Sequence, residues 1–271
     1  MRDLREMETV VAASPDGQVS LTDPDARAMT SAGRGTTVVG YNVQAAVDTR
    51  HHIVVANAVT NRGHDRSHLL EMATAAQAET GAAEMIALAD RGYYEGEQIR
   101  ACTEAGIIPM VPKPNTSPAQ ARGFWSKARF VHEPETDTYR CPAGQQLQKR
   151  FARVEGGKLI SVYFNQKACS ACPSRPLCTA GKEKRIRRWE HEAVLDAMER
   201  RLQAMPEAMA VRRCTVEHVF GTIKGWMGAT HFRTRGLKHV ATEASLAILA
   251  YNMKRAIAVA GVASTLKAIA G

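Results

Sequence analysis

The alternation of strand-like and helix-like segments between residues 37 and 111 is the feature that most constrains the fold. Residues 37–48 alternate apolar with polar side chains, and residues 53–60 form a second strand-like segment after a short turn. The pair therefore predicts an antiparallel hairpin. Asp65 is placed to cap a following helix that extends to about residue 79.

The short apolar run at 85–89 has the composition of a strand that is buried on both faces. A helix over about 95–105 then leads to another strand at 107–111, where Pro109 indicates a sheet edge. The whole order is strand, strand, helix, strand, helix, strand, which predicts a mixed α/β sheet. Ligands of such sheets bind beyond the carboxyl ends of strands. Asp90 follows such a strand and is therefore a candidate site residue, with a simple turn or helix cap as the alternative.

The chain changes character after the last of these strands. Residues 112–190 have scattered prolines, few periodic apolar positions and four of the six cysteines, which predicts an inserted cysteine-rich subdomain. Helical patterns return in residues 191–261, and we expect them to complete the core that residues 37–111 begin. Residues 1–36 form a polar N-terminal segment.

The charge balance favours a polyanionic partner. The formal net charge is +9 and the isoelectric point is near 9.4. No apolar run approaches the roughly 18 residues of a membrane span, and the N-terminus lacks the apolar core of a signal peptide. These features predict a cytoplasmic protein.

One predicted helix carries a carboxylate between two cations. Arg213, Glu217 and Lys224 fall within roughly 40° of one another at the angular step of an α-helix. Such a face suits a site that holds a metal ion and phosphates, and the alternative is a surface helix with ion pairs one turn apart. Asp90 and Glu217 together would suit Mg²⁺ or Mn²⁺, which prefer oxygen ligands and can promote phosphodiester chemistry.

Four cysteines are clustered in the predicted insertion: Cys141, Cys169, Cys172 and Cys178. A Cys-x2-Cys pair with two further thiols can supply the ligands of a structural Zn²⁺. A metal would also hold together a subdomain that has few apolar residues. An iron–sulfur cluster and four reduced thiols are the alternatives.

A basic run lies between the cysteine cluster and the Glu217 helix. Within residues 182–188 it includes Lys184, Arg185, Arg187 and Arg188. The run could follow a DNA backbone, in which case the affinity would fall steeply with salt. A solvated surface segment is the other interpretation.

Several segments, in this order, resemble the DDE transposases of bacterial insertion sequences. They are Asp-Pro-Asp-Ala-Arg at 23–27, Gly-Tyr-Asn-Val-Gln at 40–44, Ala-Asp-Arg-Gly-Tyr at 89–93 and Val-Glu-His-Val-Phe-Gly at 216–221. The chain is most similar to the branch with the motif Tyr-x2-Arg-x3-Glu-x6-Lys. Arg213, Glu217 and Lys224 fit this spacing, while Ala210 stands at the tyrosine position.

The resemblance implies a ribonuclease H-like fold, with a subdomain inserted between the last strand and the glutamate-bearing helix. It implies that Asp90 and Glu217 are catalytic and bind Mg²⁺ or Mn²⁺, and that Arg213 and Lys224 contact DNA phosphates. Trp125 would stack on a base flipped out of the DNA end. The implied partners are double-stranded DNA, at element ends and target, and a second copy of the chain on that DNA.

The resemblance also implies a further aspartate on a first, central strand. No apolar strand that ends in an Asp-Gly-Thr sequence is present in residues 1–22. We therefore expect that the N-terminal part of the transposase is missing and that the chain alone is poorly active. The alternatives are a non-catalytic, zinc-stabilised DNA-binding remnant and a metal-dependent nuclease without strand transfer.

Overall fold

The computed structural model of the protein describes residues 4–14, 16–30 and 37–270. The chain divides into two compact units. We call Met1–Lys113 together with Met198–Gly271 the core unit, and Pro114–Ala197 the sheet unit. The sequence places the insertion at residues 112–190, so the sheet unit extends past that boundary into the following helix.

Strands and helices are both well represented, which confirms the predicted mixed α/β class. The strands are β1 (Arg27–Thr30), β2 (Thr37–Gly40), β3 (Asn42–Val47), β4 (Val54–Thr60), β5 (Met85–Leu88), β6 (Ile107–Met110), β7 (Val131–Glu133), β8 (Thr138–Arg140), β9 (Gln146–Glu155), β10 (Lys158–Phe164) and β11 (Ile186–Trp189). The helices are α1 (Leu4–Ala13), α2 (Leu69–Thr80), α3 (Gly96–Glu104), α4 (Pro118–Ala121), α5 (Gln166–Ser170), α6 (Arg175–Cys178), α7 (Glu192–Ala204), α8 (Ala208–Gly221), α9 (Leu237–Ala260) and α10 (Val262–Ala270). No helix among the described residues is long and apolar enough to cross a membrane.

The predicted strand over 37–48 is two strands in the structure. β2 pairs with β1, whereas β3 pairs with β4, and the break falls at Tyr41. The hydroxyl of Tyr41 donates a hydrogen bond to Asp23, with 2.8 Å between the oxygens. The tyrosine is thereby tied to the N-terminal segment, which draws β2 into a separate hairpin.

The β3–β4 hairpin supports the main apolar cluster of the core unit. The cluster combines Val54 of β4, Val219 of α8, Ile223 of the next turn, and Ile248 and Tyr251 of α9. α9 buries Val240 and Ala244 as well, at the spacing that the sequence predicts for the final helix. Three consecutive stretches of the fold therefore meet on one face of the hairpin.

The third pair of strands in the core unit is parallel. β5 and β6 run side by side from Met85 opposite Ile107 to Leu88 opposite Met110. The expectation that β5 is buried on both faces is wrong for this structure, because Ile86 is 48% exposed. Among the described residues β3 pairs only with β4, and β5 only with β6, so the expected single sheet is divided into separate pairs.

The sheet unit has a core of its own. An antiparallel sheet runs in the order β11-β10-β9-β8-β7. Its main apolar cluster consists of Phe130, Tyr139, Leu147, Tyr163, Cys178 and Ile186. The expectation that this region has too few apolar residues to hold itself together is therefore wrong, because Phe130, Tyr139 and Tyr163 pack together in this cluster.

Asn252 fastens α9 to the hairpin through the backbone of one residue. Its amide oxygen accepts a hydrogen bond from the Val54 N–H at 2.9 Å, and its amide nitrogen donates to the Val54 carbonyl at 2.7 Å. Val54 is buried and lies where the register of β3 and β4 shifts. Asn252 thus supplies hydrogen-bond partners for the backbone groups of Val54 at the point where the β3–β4 ladder is irregular.

We predict that Asn252→Ala lowers the free energy of unfolding by about 2–4 kcal/mol, because it leaves a buried donor and a buried acceptor unpaired. Urea unfolding followed by circular dichroism measures the change. Lys254→Ala, an exposed change two residues away on the same helix, is the control and should stay within about 0.5 kcal/mol. Equal effects of the two substitutions would contradict the assignment.

Candidate functional site

Asp90 lies two residues after the end of β5, and its carboxylate is bound from two sides. Its Oδ1 accepts a hydrogen bond from the Gly92 N–H at 2.8 Å, so it caps the short 3₁₀ turn Arg91–Tyr93. Its Oδ2 accepts from the Arg212 guanidinium at 2.8 Å. The Asp90 side chain is 45% exposed. The cap that the sequence offers as the alternative is therefore confirmed for Asp90, whose side chain remains accessible near the carboxyl end of β5.

A second carboxylate, which the sequence analysis assigned to another role, lies beside Asp90. A methyl group added at Gly92 would lie 2.9 Å from Asp90 Oδ1 and 3.1 Å from Asp65 Oδ2. The two oxygens are thus no more than about 6 Å apart, with Gly92 between them. Glycine is required here because the space for a Cβ is occupied by the two carboxylates.

Asp65 is not the N-cap that the sequence predicts. α2 begins at Leu69, and its N-terminal residue His68 makes no capping hydrogen bond through its side chain. The Asp65 carboxylate instead accepts from the side-chain amides of Asn42, at 2.6 Å, and Gln44, at 2.8 Å. The physical reason is the burial of Gln44, which is 1% exposed and cannot lose water without a hydrogen-bond partner.

Tyr93 completes this polar cluster. Its hydroxyl donates a hydrogen bond to the side-chain oxygen of Gln44. Burial, with the negative charges of Asp65 and Asp90 as further causes, raises the pKa of Tyr93 well above its ordinary value. The hydroxyl therefore stays protonated at all working pH values and acts as a fixed donor.

Glu217 lies on a different face of its helix from the residue that meets Asp90. Arg212 and Glu217 are five positions apart on α8, which separates their directions by about 140°. Glu217 is exposed, and Arg213 is exposed beside it. The face of α8 that meets Asp90 presents Arg212, whereas Glu217 is exposed on another face of the helix.

The α-helical spacing that predicts Lys224 on the same helix face as Glu217 does not continue as far as Lys224. α8 ends at Gly221 and continues as a π-helical turn over Thr222–Trp226, in which the angular step differs from that of an α-helix. The Lys224 ammonium lies 5.8 Å from the centre of the Phe220 ring.

The same π-helical turn carries Trp226, which is 84% exposed and which no sequence pattern singles out. Only the structure distinguishes this exposed tryptophan from those that are packed.

The carboxylates do not form a metal site as they stand. Among the residues that the structure describes, no group of three or more histidine, cysteine, aspartate or glutamate side chains is placed to hold a metal ion. Asp90 already has a guanidinium and an N–H on its two oxygens. A divalent ion at Asp90 would compete with the Arg212 guanidinium for Oδ2.

The four clustered cysteines line the same cavity but are not placed as the ligands of one metal ion. Cys141, Cys169, Cys172 and Cys178 all line one small cavity of the sheet unit, with Lys184 beside them. All four are free thiols, and burial is the main cause that raises the pKa of Cys178. The expected zinc site is not supported, because the described thiols are not grouped as metal ligands and the unit has its own apolar core.

Lys184 and Arg188 of the basic run act within the sheet unit. The Lys184 ammonium donates to the carbonyl oxygens of Trp125, at 2.7 Å, and Cys178, at 3.3 Å, and burial lowers its pKa. Arg188 contacts the Tyr139 hydroxyl at 3.1 Å and the Asp196 carboxylate at 2.8 Å. Both side chains are therefore bound to groups of the sheet unit itself and do not form a ligand surface.

The remaining DNA candidates of the sheet unit are partly engaged. Arg185 and Arg187 have side chains 58% and 55% exposed, and they pair with Glu183 and Glu155. Trp125 packs against the apolar core of the unit. Trp125 is thus a partly buried packing residue in this structure.

We predict that Gly92→Ala destabilises the core unit by about 1–3 kcal/mol, because the added methyl group overlaps the Asp65 and Asp90 carboxylates. Thermal unfolding measured by calorimetry reports the change. Gly221→Ala is the matched control, since a Cβ there meets no atom within 4 Å and the helix gains from alanine. A Gly92→Ala protein as stable as the control would show that the two carboxylates do not converge on this position.

The geometry is that of an accessible acidic residue near the carboxyl end of a strand, in a basic chain whose Arg213, Glu217 and Lys224 are all exposed on a later helical segment. Among curated proteins and solved structures, no significant match to the chain is found. The family model described as the transposase DDE domain matches residues 14–253, a span that includes both Asp90 and Glu217. The chain therefore belongs to the transposase DDE domain family.

Proposed function

We propose that the chain is the catalytic domain of a DNA transposase of a bacterial insertion sequence, of the Tyr-Arg-Glu-Lys branch and with a ribonuclease H-like core. It would cleave phosphodiester bonds at the ends of the element and join them to target DNA as a homodimer. The observation that carries this proposal is the family match over residues 14–253. The net charge of +9 supports a polyanionic substrate.

Asp90 and Glu217 are the carboxylates that we assign to the reaction. The family generally uses divalent metal ions, which stabilise the charge that develops on phosphate oxygens and activate an attacking oxygen. Asp90 is accessible at a strand end, and Glu217 is exposed on α8. Because the Arg212 guanidinium is bound to Oδ2 of Asp90, where it would compete with a metal ion, we propose that the chain alone is poorly active.

The DNA contacts are best assigned to the exposed segment around Glu217. Arg213 and Lys224 are exposed, and neither forms an ion pair with an acidic residue among the described side chains. Trp226 adds an exposed aromatic surface on which a base could stack. Arg185 and Arg187 remain weaker candidates, since each would have to leave a glutamate.

A second candidate function is DNA binding without catalysis. It is favoured by the Arg212 contact to Asp90, which places a cation where a catalytic metal ion would bind. It is favoured also by the separation of Arg212 and Glu217 around α8, which points the glutamate away from Asp90. Such a protein would protect element ends or compete with an active transposase for them.

The catalytic proposal predicts weak Mg²⁺-dependent nicking of DNA that carries the terminal sequences flanking the reading frame, together with joined products. Asp90→Asn and Glu217→Gln should each reduce this nicking by about tenfold or more, because each removes a charged oxygen donor. Glu84→Gln, an exposed change in the core unit, is the matched control and should leave nicking unchanged. Gel analysis of end-labelled DNA measures nicks and joined strands in one experiment.

Nicking that survives both substitutions would overturn the assignment of Asp90 and Glu217. Binding to the terminal sequences with no nicking by any variant would favour the second candidate function. Nicks without joined products would identify a nuclease that lacks strand transfer.

If Arg213 and Lys224 contact DNA phosphates, replacing them should lower both the affinity for DNA and the dependence of that affinity on salt. Replacing both Arg213 and Lys224 by alanine should lower the slope of log K against log salt by about 2, because about one phosphate contact is lost with each cation. Fluorescence anisotropy at several salt concentrations gives the slope. The control replaces Lys254 and Lys267 by alanine, which removes the same charge from other exposed positions of the core unit. Equal slopes in the two double variants would show that only net charge matters.

A further inference from the structure

Two of the four clustered cysteines lie at the two ends of one tight turn in the sheet unit. α5 ends at Ser170, and Ala171 after it has φ −98° and ψ 6°, as the third residue of a type I turn does. The Cys172 N–H closes the turn by donating to the Cys169 carbonyl, with 3.3 Å between the two atoms. The Cα atoms of the two cysteines therefore lie within about 7 Å of each other. Disulfides usually join cysteines whose Cα atoms are about 4.4–6.8 Å apart, so the turn is short enough for one.

The backbone on both sides of this turn is fixed by separate contacts. The Asn165 side chain caps α5 by accepting a hydrogen bond from a backbone N–H at 3.1 Å. On the other side, the Arg175 N–H donates to the Cys172 carbonyl at 3.2 Å. Pro173 also restricts the backbone of the residue before it. The thiols of Cys169 and Cys172 can therefore meet by rotation of their side chains, without unfolding of the turn.

Both thiols are open to a small reagent. Cys169 and Cys172 are only partly buried. They line a cavity of about 30 Å³, which is large enough for a water-sized molecule. Two accessible thiols at the ends of a four-residue turn are a pair that a small oxidant can reach and join.

The other cysteines are less suited to an early oxidation. Burial raises the pKa of Cys178, and burial raises the pKa of Cys102 to about 11. Because the thiolate is the form that attacks an oxidant, these two thiols react slowly. Cys141 is partly buried and packs against the apolar cluster that contains Cys178, so a bond between them would need a slowly reacting thiol. Cys214 is exposed on α8 of the core unit and lies outside the cluster.

We infer that Cys169 and Cys172 form a site of reversible oxidation by hydroperoxides, at which a disulfide closes the turn. One thiolate attacks hydrogen peroxide, breaks its O–O bond and becomes a sulfenic acid, with release of hydroxide. The second thiolate attacks that sulfur and displaces its hydroxyl group, so that an S–S bond forms. In total the two thiols lose two electrons and two protons, and one hydrogen peroxide becomes two water molecules. This inference does not depend on the proposed function, because it rests on the turn and the thiols alone.

The turn leads directly into a helix that supports two of the residues that the sequence analysis assigns to DNA. α6 accepts the Trp125 N–H at the Leu177 carbonyl, at 2.9 Å, and the Lys184 ammonium at the Cys178 carbonyl, at 3.3 Å. A disulfide across the turn would tie the end of α5 to the start of α6 and so stiffen this support. Transient disulfides of reducing compartments are usually catalytic or redox-sensing.

Oxidation of the full, reduced chain by hydrogen peroxide tests the site. After the reaction, free thiols are alkylated with N-ethylmaleimide in denaturant, and the labelled cysteines are identified by mass spectrometry. We expect Cys169 and Cys172 to lose their labels together and to be joined in one peptide, while Cys102 and Cys178 stay labelled. Dithiothreitol should restore both labels, because a disulfide is reduced by thiol exchange.

Variants of single cysteines assign the bond. Cys169→Ser and Cys172→Ser should each reduce disulfide formation by about tenfold or more, because the thiol that remains has no partner across the turn. Cys141→Ser is the matched control, since it removes another partly buried thiol of the same cavity, and it should leave disulfide formation unchanged. Cys169→Ala and Cys172→Ala, which keep an apolar group in the cavity, repeat the test, and circular dichroism checks that each variant is folded.

A first disulfide that includes Cys141 or Cys178 would overturn the assignment, and so would an equal loss in Cys141→Ser. Thiols that peroxide leaves fully reduced would overturn the inference as well. Conversion of Cys169 or Cys172 to sulfinic acid without a disulfide would contradict it too, because that product is not restored by dithiothreitol.

Discussion

The backbone groups at the edge of a strand need hydrogen-bond partners, and the arrangement of the core unit depends on how this need is met. β4 and β6 satisfy one edge each of β3 and β5, while Asn252 satisfies the irregular end of the β3–β4 ladder. The inner edges of β3 and β5 have no such partner among the described strands. The helices α2 and α8 nevertheless form two walls about this space, as if a sheet continued through it.

The state of Asp90 follows from the same arrangement. Asp90 follows a strand that lines an open cavity. Its carboxylate accepts hydrogen bonds from the two donors nearby, the Gly92 N–H and the Arg212 guanidinium. Asp65 is drawn toward the same point by the buried amides of Asn42 and Gln44. The result is a polar cluster with two acids and one cation, suited to a structural role in the isolated chain. A role in DNA chemistry requires this cluster to rearrange.

The order of elements could be predicted from the sequence because hydrophobic periodicity survives tertiary packing. The α9 helix, the edge position of Pro109 and the place of Asp90 after a strand all follow from local pattern. The partners of Asp65 could not be predicted, because they depend on the burial of Gln44, which lies on the polar side of an alternating strand. The helix face on which Lys224 lies could not be predicted for another reason, because a π-helical turn interrupts the α-helical spacing. The basic run has the pattern of a ligand surface because two of its internal partners are distant in sequence: the Trp125 carbonyl is 59 residues from Lys184, and the Tyr139 hydroxyl is 49 residues from Arg188.

Amide hydrogen exchange in β3 and β5 tests most directly whether the two inner edges are free. Backbone N–H groups that point to β4 or β6 are hydrogen-bonded, whereas those on the inner edges face a cavity that both strands line. In the chain by itself, we predict that protected and rapidly exchanging amides alternate along both strands, as read by nuclear magnetic resonance at single residues. Uniform protection along β3 and β5 in the monomer would contradict the account, because it would mean that their inner edges are already paired.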